Sequence, residues 1–271
     1  EAELQKAVEA ARNSDIALVV VGTTAHVESE GFDRSSLKLP GRQDELIQAV
    51  AAVNPNTIVV VNSGSPVEMP WRSRVAAVML AWFPGEEFGN ALADVIYGLS
   101  EPGGRLPTTW AVSLEDAPVT NTNPTNGNLH YSEGLNIGYR AWAGHSVRPA
   151  YHFGYGLGYT SFELANLSTS QSEPGITVKV EISNTGNRAG SDVVQVYVRK
   201  TDSAVTRPNI WLAGFAKVKV AAGQSDSVEI LLEQNRFAHY LDDWTTEHGS
   251  YEILVSRSAD VSEALHTVIQ I

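Results

Sequence analysis

The sequence contains no cysteine in its 271 residues. Disulfide bonds, zinc sites built on thiolates and a thiol nucleophile are therefore excluded, but the compartment stays open because many secreted bacterial enzymes also lack cysteine. Basic residues are scarce, since 19 lysines and arginines stand against 31 aspartates and glutamates and give a net charge of −12. A surface of this sign repels phosphates at long range, so no nucleic acid and no anionic membrane is expected as a partner.

Long apolar runs are missing as well. No stretch reaches the roughly 18 to 20 apolar residues of a membrane-spanning helix, and the opening "EAELQKAVEAARNSD" predicts a polar amphipathic helix rather than a signal peptide. "GTT" and "SGS" lack the Gly-Lys-Ser/Thr ending of a phosphate-binding loop, so the sequence gives little support to nucleotide binding. No cofactor is expected. Hydrophobic residues still make up 43% of the chain, which is normal for a globular protein with a core.

The first part of the chain, to about residue 110, alternates helical and buried-strand patterns. The runs "IALVVVG", "TIVVVNSG" and "VAAVMLAW" read as strands, with helical patterns such as "RQDELIQAVAAVN" between them. Continuous apolar strands separated by helices predict an α/β sandwich with a mostly parallel sheet covered on both faces. Because the chain opens on a helix and only about three strands follow, we expect the sheet to be incomplete at its N-terminal end and more sequence to precede residue 1.

The last part of the chain has an all-β texture. Seven short segments from "FELANLS" to "HTVIQI" alternate apolar and polar residues, as in an antiparallel sandwich of the fibronectin or immunoglobulin type. The predicted domains are 1–118 for the α/β part, 119–160 for an aromatic-rich linker and 161–271 for the β-sandwich. We expect the linker rings to be buried where the second domain docks on the first. These rings are Tyr151, Phe153, Tyr155 and Tyr159.

Chemistry is expected where the parallel strands end, because ligands of open α/β sheets bind beyond the carboxyl ends of the strands. Three segments qualify: the loop after "IALVVVG", then "NSGSP", then "WFPGEEFGN". The first loop has the most titratable groups in the fewest residues. They are His26, Glu28, Glu30, Asp33 and Arg34.

Each of these segments also has an ordinary structural interpretation. Asp33 and Arg34 suit a turn acid with a salt-bridged neighbour, and "GEEFGNAL" with Glu87 suits a helix start, where the helix dipole favours acids. "NSGSP" suits a simple turn as well as a backbone that approaches a ligand. His26 has no second histidine or carboxylate at a ligand spacing, so no metal site is expected.

The long runs around these segments resemble a known family. "ESEGFDRSSLKLPGRQDELIQAVAAVNPNTIVVVNSGSPVEMPW", "AWFPGEEFGNALADVIYGLSEPGGRLPTTW" and "YHFGYGLGYTSF" are similar, in this order, to the C-terminal α/β sandwich and fibronectin type III-like domains of glycoside hydrolase family 3 β-glucosidases. The resemblance covers nearly the whole chain and extends over several long motifs.

The resemblance implies a retaining enzyme with its two carboxyl groups on different domains. The family's Glu-Gly-aromatic-Asp-Arg pattern falls on residues 30–34, which makes Glu30 the candidate general acid/base and Glu28 its rival, with Asp33 and Arg34 as an ion pair that orders the loop. The nucleophilic aspartate of a Ser-Asp-Trp-like motif belongs to a preceding barrel domain. This chain has no Ser-Asp-Trp, and its Asp243–Trp244 pair is interpreted as a strand-turn pair.

The resemblance also sets the expected function and partners. We expect the C-terminal part of an exo-acting β-glucosidase that binds a β-linked oligosaccharide or glycoside together with the missing N-terminal barrel domain, in a secreted or periplasmic protein. A β-xylosidase or arabinosidase specificity and a homo-oligomer stay open. Two other classes also stay open: a noncatalytic carbohydrate-binding or accessory domain pair, and a structural or adhesive fragment.

Overall fold

The computed structural model describes residues 1–271, with Ser172 described by its backbone alone. The chain divides into two compact units. The first contains residues 1–99 and 110–117, and the second contains residues 100–109 and 118–271. Among the described residues, no helix is both long and apolar enough to cross a membrane.

The first unit is the predicted α/β fold. Its sheet has the order β1-β2-β3, with both strand pairs parallel, so the apolar runs form a parallel sheet as the sequence indicates. This unit also contains two short 3-10 turns, at Arg72–Arg74 and Leu114–Asp116. The main elements are α1 (Ala2–Arg12), β1 (Ala17–Gly22), α2 (Gln43–Ala51), β2 (Thr57–Asn62), β3 (Ala77–Leu80) and α3 (Phe88–Ile96).

The core of the first unit lies around the central strand β2, whose Val59, Val60 and Val61 are completely buried. Helix α2 packs against β1 and β2, and α1 packs against α2. The prediction that both faces of the sheet are covered is wrong for β1 in the described chain, because Leu18 is 48% exposed and Val20 is 56% exposed. β1 is the outer strand, and its side chains alternate between the buried face and this open one.

The second unit is the predicted β-sandwich, and all seven predicted strands are present. One antiparallel sheet has the order β4-β5-β8 and the other the order β12-β11-β6-β7. The sequence interpretation missed a further two-stranded hairpin, β9-β10, in which Asp243 lies in the turn and Trp244 opens the second strand. The strands are β4 (Phe162–Ser172), β5 (Gly175–Asn184), β6 (Gly190–Arg199), β7 (Trp211–Val220), β8 (Ser225–Glu233), β9 (Ala238–Tyr240), β10 (Trp244–Thr246), β11 (Ser250–Ser256) and β12 (Leu265–Gln270).

Aromatic rings before β4 pack within this unit, but less deeply than predicted. Phe153 stacks on Tyr139, in the short helix α4 (Tyr139–Trp142), with ring centroids 5.0 Å apart. The ring centroids of Tyr151 and Tyr155 lie 5.2 Å apart. The expectation that the four linker rings are buried is wrong, because three of them are only half-buried and Tyr159 is 38% exposed.

Residues 100–109 lie against the β-sandwich through backbone and charged contacts. Glu101 Oε2 accepts a hydrogen bond from the Ser191 amide at 2.7 Å, and Lys217 Nζ donates to the Gly103 carbonyl at 3.1 Å. Arg105 Nη2 lies 2.8 Å from Asp192 Oδ1, and this aspartate is completely buried. These contacts explain why this short segment groups with the second unit rather than with the sheet of the first.

A second polar cluster holds the β6–β7 connection to the turn before β11. The Glu247 carboxylate accepts hydrogen bonds from Ser203 Oγ at 2.6 Å, from the Ala204 amide at 2.8 Å and from Arg207 Nε at 3.0 Å. The bond from Ser203, followed by those from Ala204 and Arg207, lowers the pKa of Glu247 from 4.5 to about 2. All three donors favour the ionised carboxylate over the protonated form.

Acid is therefore expected to destabilise this cluster in a defined pH range. Because the folded-state pKa of Glu247 is depressed, its contribution to the free energy of unfolding is complete above pH 4.5 and is lost as the pH falls toward about 2. Urea unfolding at a series of pH values should show this loss in the wild-type chain and a flatter profile in Glu247→Gln. Ser203→Ala, which removes the first donor, should flatten the profile in part. Identical slopes in all three proteins would contradict the assignment.

Candidate active site

The three predicted segments lie at one edge of the parallel sheet in the first unit. β1 ends at Gly22, β2 at Asn62 and β3 at Leu80, and a loop follows each strand. Parallel strands place their carboxyl ends on the same side, which is where ligands of open α/β sheets bind. The sequence-predicted residues are therefore brought to one edge of this unit.

Glu28 and Arg34 form the buried centre of this edge. Arg34 Nη1 lies 3.0 Å from Glu28 Oε1, and only 13% of the arginine side chain and 12% of the glutamate side chain are exposed. Arg34 Nη1 also donates to Ser65 Oγ at 2.8 Å and to the Pro66 carbonyl at 2.9 Å. The predicted ion pair between Asp33 and Arg34 is wrong, because the side chain of Arg34 turns inward to Glu28 and to the loop after β2.

Both oxygens of the Glu28 carboxylate are used by protein groups. Oε1 accepts from Arg34 and from Ser65 Oγ, the latter at 2.6 Å, while Oε2 accepts from the Gly64 amide at 2.9 Å. These bonds tie the loop after β1 to the loop after β2. Charge-assisted bonds of this kind are stronger than neutral ones, so Glu28 is held in a fixed position.

Glu30 lies two residues further on, in a different environment. Ser29 and Phe32 pair as an isolated antiparallel bridge, and the Gly31 amide donates to Ser29 Oγ at 3.2 Å. Glu30 is therefore at the tip of a tight turn, and its side chain is exposed. Among the described residues, neither its carboxylate nor that of the exposed Asp33 has a hydrogen-bond or ion-pair partner.

The loops after β2 and β3 meet beside Glu28. A methyl group placed on Gly64 would lie 2.6 Å from Phe83 Cε2 and 2.8 Å from Glu28 Oε2, so both side chains approach the backbone of this glycine. The groups that approach the backbone of "NSGSP" belong to this protein, so the expectation that this backbone approaches a ligand stays a prediction. Phe83 is 57% exposed, which leaves an aromatic ring open at the edge.

Trp82 is a feature of this edge that the sequence interpretation missed. Its φ is +54°, a left-handed conformation that costs free energy for a bulky residue and is often found at functional sites. Its carbonyl accepts a hydrogen bond from Asn62 Nδ2, and its ring packs edge-to-face on Trp110 with centroids 6.0 Å apart. The sequence carries no signal for this backbone conformation, although the aromatic pair "WF" after a strand marks the position.

The remaining candidates lie at the border of the site. Glu87 precedes α3 as its N-cap residue and accepts from Asn90 Nδ2 at 2.9 Å, as expected for an acid at a helix start. His26 is exposed in the turn after β1. Across the described part of the chain, no group of three or more His, Asp or Glu residues is arranged to hold a metal ion.

The arrangement presents the carboxyl group of Glu30, like that of Asp33, without a partner among the described residues and on a fixed support. The Glu28–Arg34 ion pair anchors both ends of a short loop, and Glu30 projects from the turn between them. An exposed carboxyl group without protein partners can give a proton to a bound molecule and take one back, which is the work of a general acid/base.

Comparison with protein families identifies the chain. The family profile of the glycosyl hydrolase family 3 C-terminal domain matches residues 1–159, which is more than half of the sequence. The chain belongs to glycoside hydrolase family 3. A fibronectin type III-like profile matches residues 192–259, within the β-sandwich.

Curated relatives from this family carry β-glucosidase names. The chain is 42% identical over 270 residues to a β-glucosidase of Rhizobium radiobacter, and the aligned region covers 96% of this chain and 33% of the relative. It is 39% identical over 264 residues to the thermostable β-glucosidase B of Acetivibrio thermocellus, and the aligned region covers 94% of this chain and 35% of the relative. The chain therefore spans about a third of the length of these relatives.

Solved structures from the family share the fold. The β-glucosidase of Kluyveromyces marxianus in complex with glucose is 38% identical, with a TM-score of 0.93, and the match covers 100% of this chain and 33% of that one. DesR, a β-glucosidase of Streptomyces venezuelae in complex with D-glucose, is 33% identical with a TM-score of 0.92, over 100% of this chain and 35% of that one. This family 3 chain is thus similar in fold to the C-terminal third of known β-glucosidases.

Proposed function

We propose that this chain is the C-terminal part of a retaining, exo-acting β-glucosidase and that Glu30 is its general acid/base. The observation that carries the proposal is the contrast between two glutamates in a family 3 chain. Both carboxylate oxygens of Glu28 accept hydrogen bonds, from Arg34, Ser65 and Gly64. Glu30 is exposed on a turn, and its carboxylate has no partner among the described residues. Of the two, only Glu30 is free to bond to a substrate.

The proposed reaction is a double displacement at the anomeric carbon of a terminal β-glucoside. In the first step a carboxylate nucleophile forms a glycosyl ester while Glu30 gives its proton to the departing oxygen. In the second step Glu30 takes a proton from water, and the resulting hydroxide equivalent breaks the ester with net retention. Such enzymes hold the two carboxyl groups about 5 to 5.5 Å apart.

In this proposal the present chain supplies one of the two carboxyl groups. The nucleophilic aspartate lies on a barrel domain outside these 271 residues, in the same polypeptide or in a companion chain. A glutamate at the tip of a turn suits this division, because a loop that closes over another domain loses water and its carboxyl group then favours the protonated form that an acid needs. Arg34 and Glu28 keep the base of the loop in place.

The names of the relatives support glucose as the sugar. Both solved relatives described above are complexes with glucose, and both curated relatives are named β-glucosidases. Terminal β-linked glucosides are therefore the proposed substrates, ahead of β-xylosides and arabinosides.

The proposal is tested by comparing this chain alone with the complete protein. We expect the purified 271-residue chain to leave nitrophenyl β-glucoside intact, because the carboxylate nucleophile that forms the glycosyl ester is on the other domain in this proposal. The complete protein should hydrolyse it and release the β-anomer of glucose first, as seen by NMR. Turnover by the isolated chain, or first release of the α-anomer, would refute the corresponding part of the mechanism.

A further inference from the structure

An exposed aromatic pair lies on the β9–β10 hairpin of the second unit. Tyr240 and Trp244 are directly opposed across the two strands, and their rings pack edge-to-face with centroids 5.7 Å apart. Tyr240 is nevertheless 65% exposed and Trp244 is 69% exposed. In contrast to the aromatic side chains of the sandwich core, this pair contributes little buried area to the fold.

The aromatic pair shares its face of the hairpin with a cavity. Side chains alternate along a strand, so Thr246 lies on the same face as Trp244, two residues away. Thr246 lines a cavity of about 380 Å³, at the lower end of the range for small-molecule sites. The cavity is also lined by Gln171, Glu173, Gln234 and His248, whose exposed side chains make no hydrogen bond to the described residues.

The polar groups of the cavity can both donate and accept hydrogen bonds. The two glutamine amides offer NH₂ donors and carbonyl acceptors, Glu173 accepts, and Thr246 does both. Asp242 and Asp243 add negative charge in the hairpin turn, within a chain of net charge −12. An anionic ligand is disfavoured here, while neutral hydroxyl groups find acceptors and donors side by side.

We propose that Tyr240 and Trp244, together with this cavity, form a noncatalytic binding site for a β-linked glucan chain. A pyranose has two apolar C–H faces and a rim of hydroxyl groups. The C–H faces suit the electron-rich faces of exposed aromatic rings, and the rim suits the amides and carboxylates beside them. The choice of a β-linked glucan rests on the proposed function, whereas the site itself lies on a different unit from Glu30.

The size of the patch favours a saccharide over a protein partner. Tyr240, Leu241 and Trp244 are the large apolar side chains exposed at this hairpin. A large aromatic side chain has roughly 150 to 250 Å² to bury, and about two thirds of each of these three side chains is exposed, so together they offer roughly 300 to 500 Å². A specific protein interface needs about 800 Å² from each partner.

The test is affinity electrophoresis of the 271-residue chain through gels that contain soluble mixed-linkage β-glucan, with α-linked dextran as the reference polysaccharide. We expect the β-glucan alone to retard the wild-type chain. Trp244→Ala and Tyr240→Ala should weaken binding by about tenfold or more, the loss typical of an aromatic anchor. Trp244→Phe, which keeps a ring, should retain most of the binding.

Phe215→Ala provides the matched control. Phe215 is 66% exposed on β7 of the same unit, so its removal takes away a comparable exposed ring that lies outside the hairpin. This variant should bind β-glucan as the wild type does, and circular dichroism should show that all variants are folded. Equal retardation of wild type and Trp244→Ala, equal binding to dextran, or a Trp244-dependent dimer in sedimentation would overturn the proposal.

The outcome can be separated from that of the proposed function. Binding is measured on the isolated chain, without turnover, whereas the proposed function is measured as hydrolysis by the complete protein. Hydrolysis without Trp244-dependent binding would reject the glucan site alone. Trp244-dependent binding without hydrolysis would support the glucan site and reject the proposed function.

Discussion

Glu30→Ala in the complete protein is expected to slow hydrolysis of β-glucosides with poor leaving groups by about 10²- to 10⁴-fold, the usual contribution of general acid catalysis. The loss should be much smaller for a dinitrophenyl glucoside, because its departing oxygen needs little protonation. The measurement is kcat/KM across a series of aryl β-glucosides. A steep dependence on leaving-group pKa in the variant, and a shallow one in the wild type, is the expected result.

The second step of the reaction gives an independent readout for Glu30. Without a base to activate water, the glycosyl ester of Glu30→Ala should accumulate when the leaving group is good. Azide attacks without help from a base, so it should restore turnover and yield β-glucosyl azide. A residue that only orders the loop would show neither the rescue nor the new product.

Glu28→Ala is the matched comparison, since it removes the neighbouring carboxylate of the same loop. This substitution leaves Arg34 without its charged partner and removes the acceptor of the Gly64 amide and of the Ser65 hydroxyl, so it should lower activity against all leaving groups alike. Azide should not rescue it. If the leaving-group dependence and the rescue followed Glu28→Ala while Glu30→Ala behaved as wild type, the two roles would be exchanged.

The sequence was sufficient to predict the fold because local patterns determine most of it. Val59 to Val61 read as a buried strand and are completely buried, and the alternating segments after residue 162 became the two sheets of the sandwich. The β9–β10 hairpin was missed because its strands have only three residues each, too few for an alternation to be recognised.

The sequence predicts which loops form the site, but it does not predict which hydrogen bonds and ion pairs join them. Strand order places the three loops at one edge, and this follows from the parallel pattern. The partner of Arg34 does not follow, because the adjacent Asp33 and the more distant Glu28 are equally plausible in sequence. The choice depends on the loop after β2, where Ser65 and Pro66 accept from the same guanidinium nitrogen.

The same limit applies to a buried charged cluster of the second unit. Asp192 Oδ1 accepts from Arg105 Nη2 at 2.8 Å and from Arg105 Nε at 3.2 Å, while Oδ2 accepts from Arg257 Nε. The three residues are separated by 87 and 65 positions in sequence, so no local pattern links them. Asp192 is completely buried and the Arg105 side chain is 8% exposed.

Asp192→Asn is expected to be the most destabilising conservative substitution in the second unit. The amide keeps the shape of the side chain but removes the negative charge that the guanidinium groups of Arg105 and Arg257 both contact. Removing one partner of a buried ion pair typically costs about 3 to 5 kcal/mol, because the charge left behind is desolvated without compensation. Urea unfolding of the 271-residue chain should show this loss as a lower midpoint for the β-sandwich transition.

Two further variants decide whether the charge of Asp192 is responsible. Asp226→Asn changes an exposed aspartate of β8 whose carboxylate, among the described residues, accepts a hydrogen bond only from the Ser227 amide, so its effect should stay within about 0.5 kcal/mol. Arg105→Met removes one guanidinium but leaves Asp192 paired with Arg257, which is itself 36% exposed. The free energy of unfolding that Arg105→Met loses should therefore lie between the losses of Asp226→Asn and Asp192→Asn. If Asp192→Asn were no worse than Asp226→Asn, Arg105 and Arg257 would be stable without the carboxylate, and residues 100–109 would be held to the sandwich mainly by Glu101 and by backbone contacts.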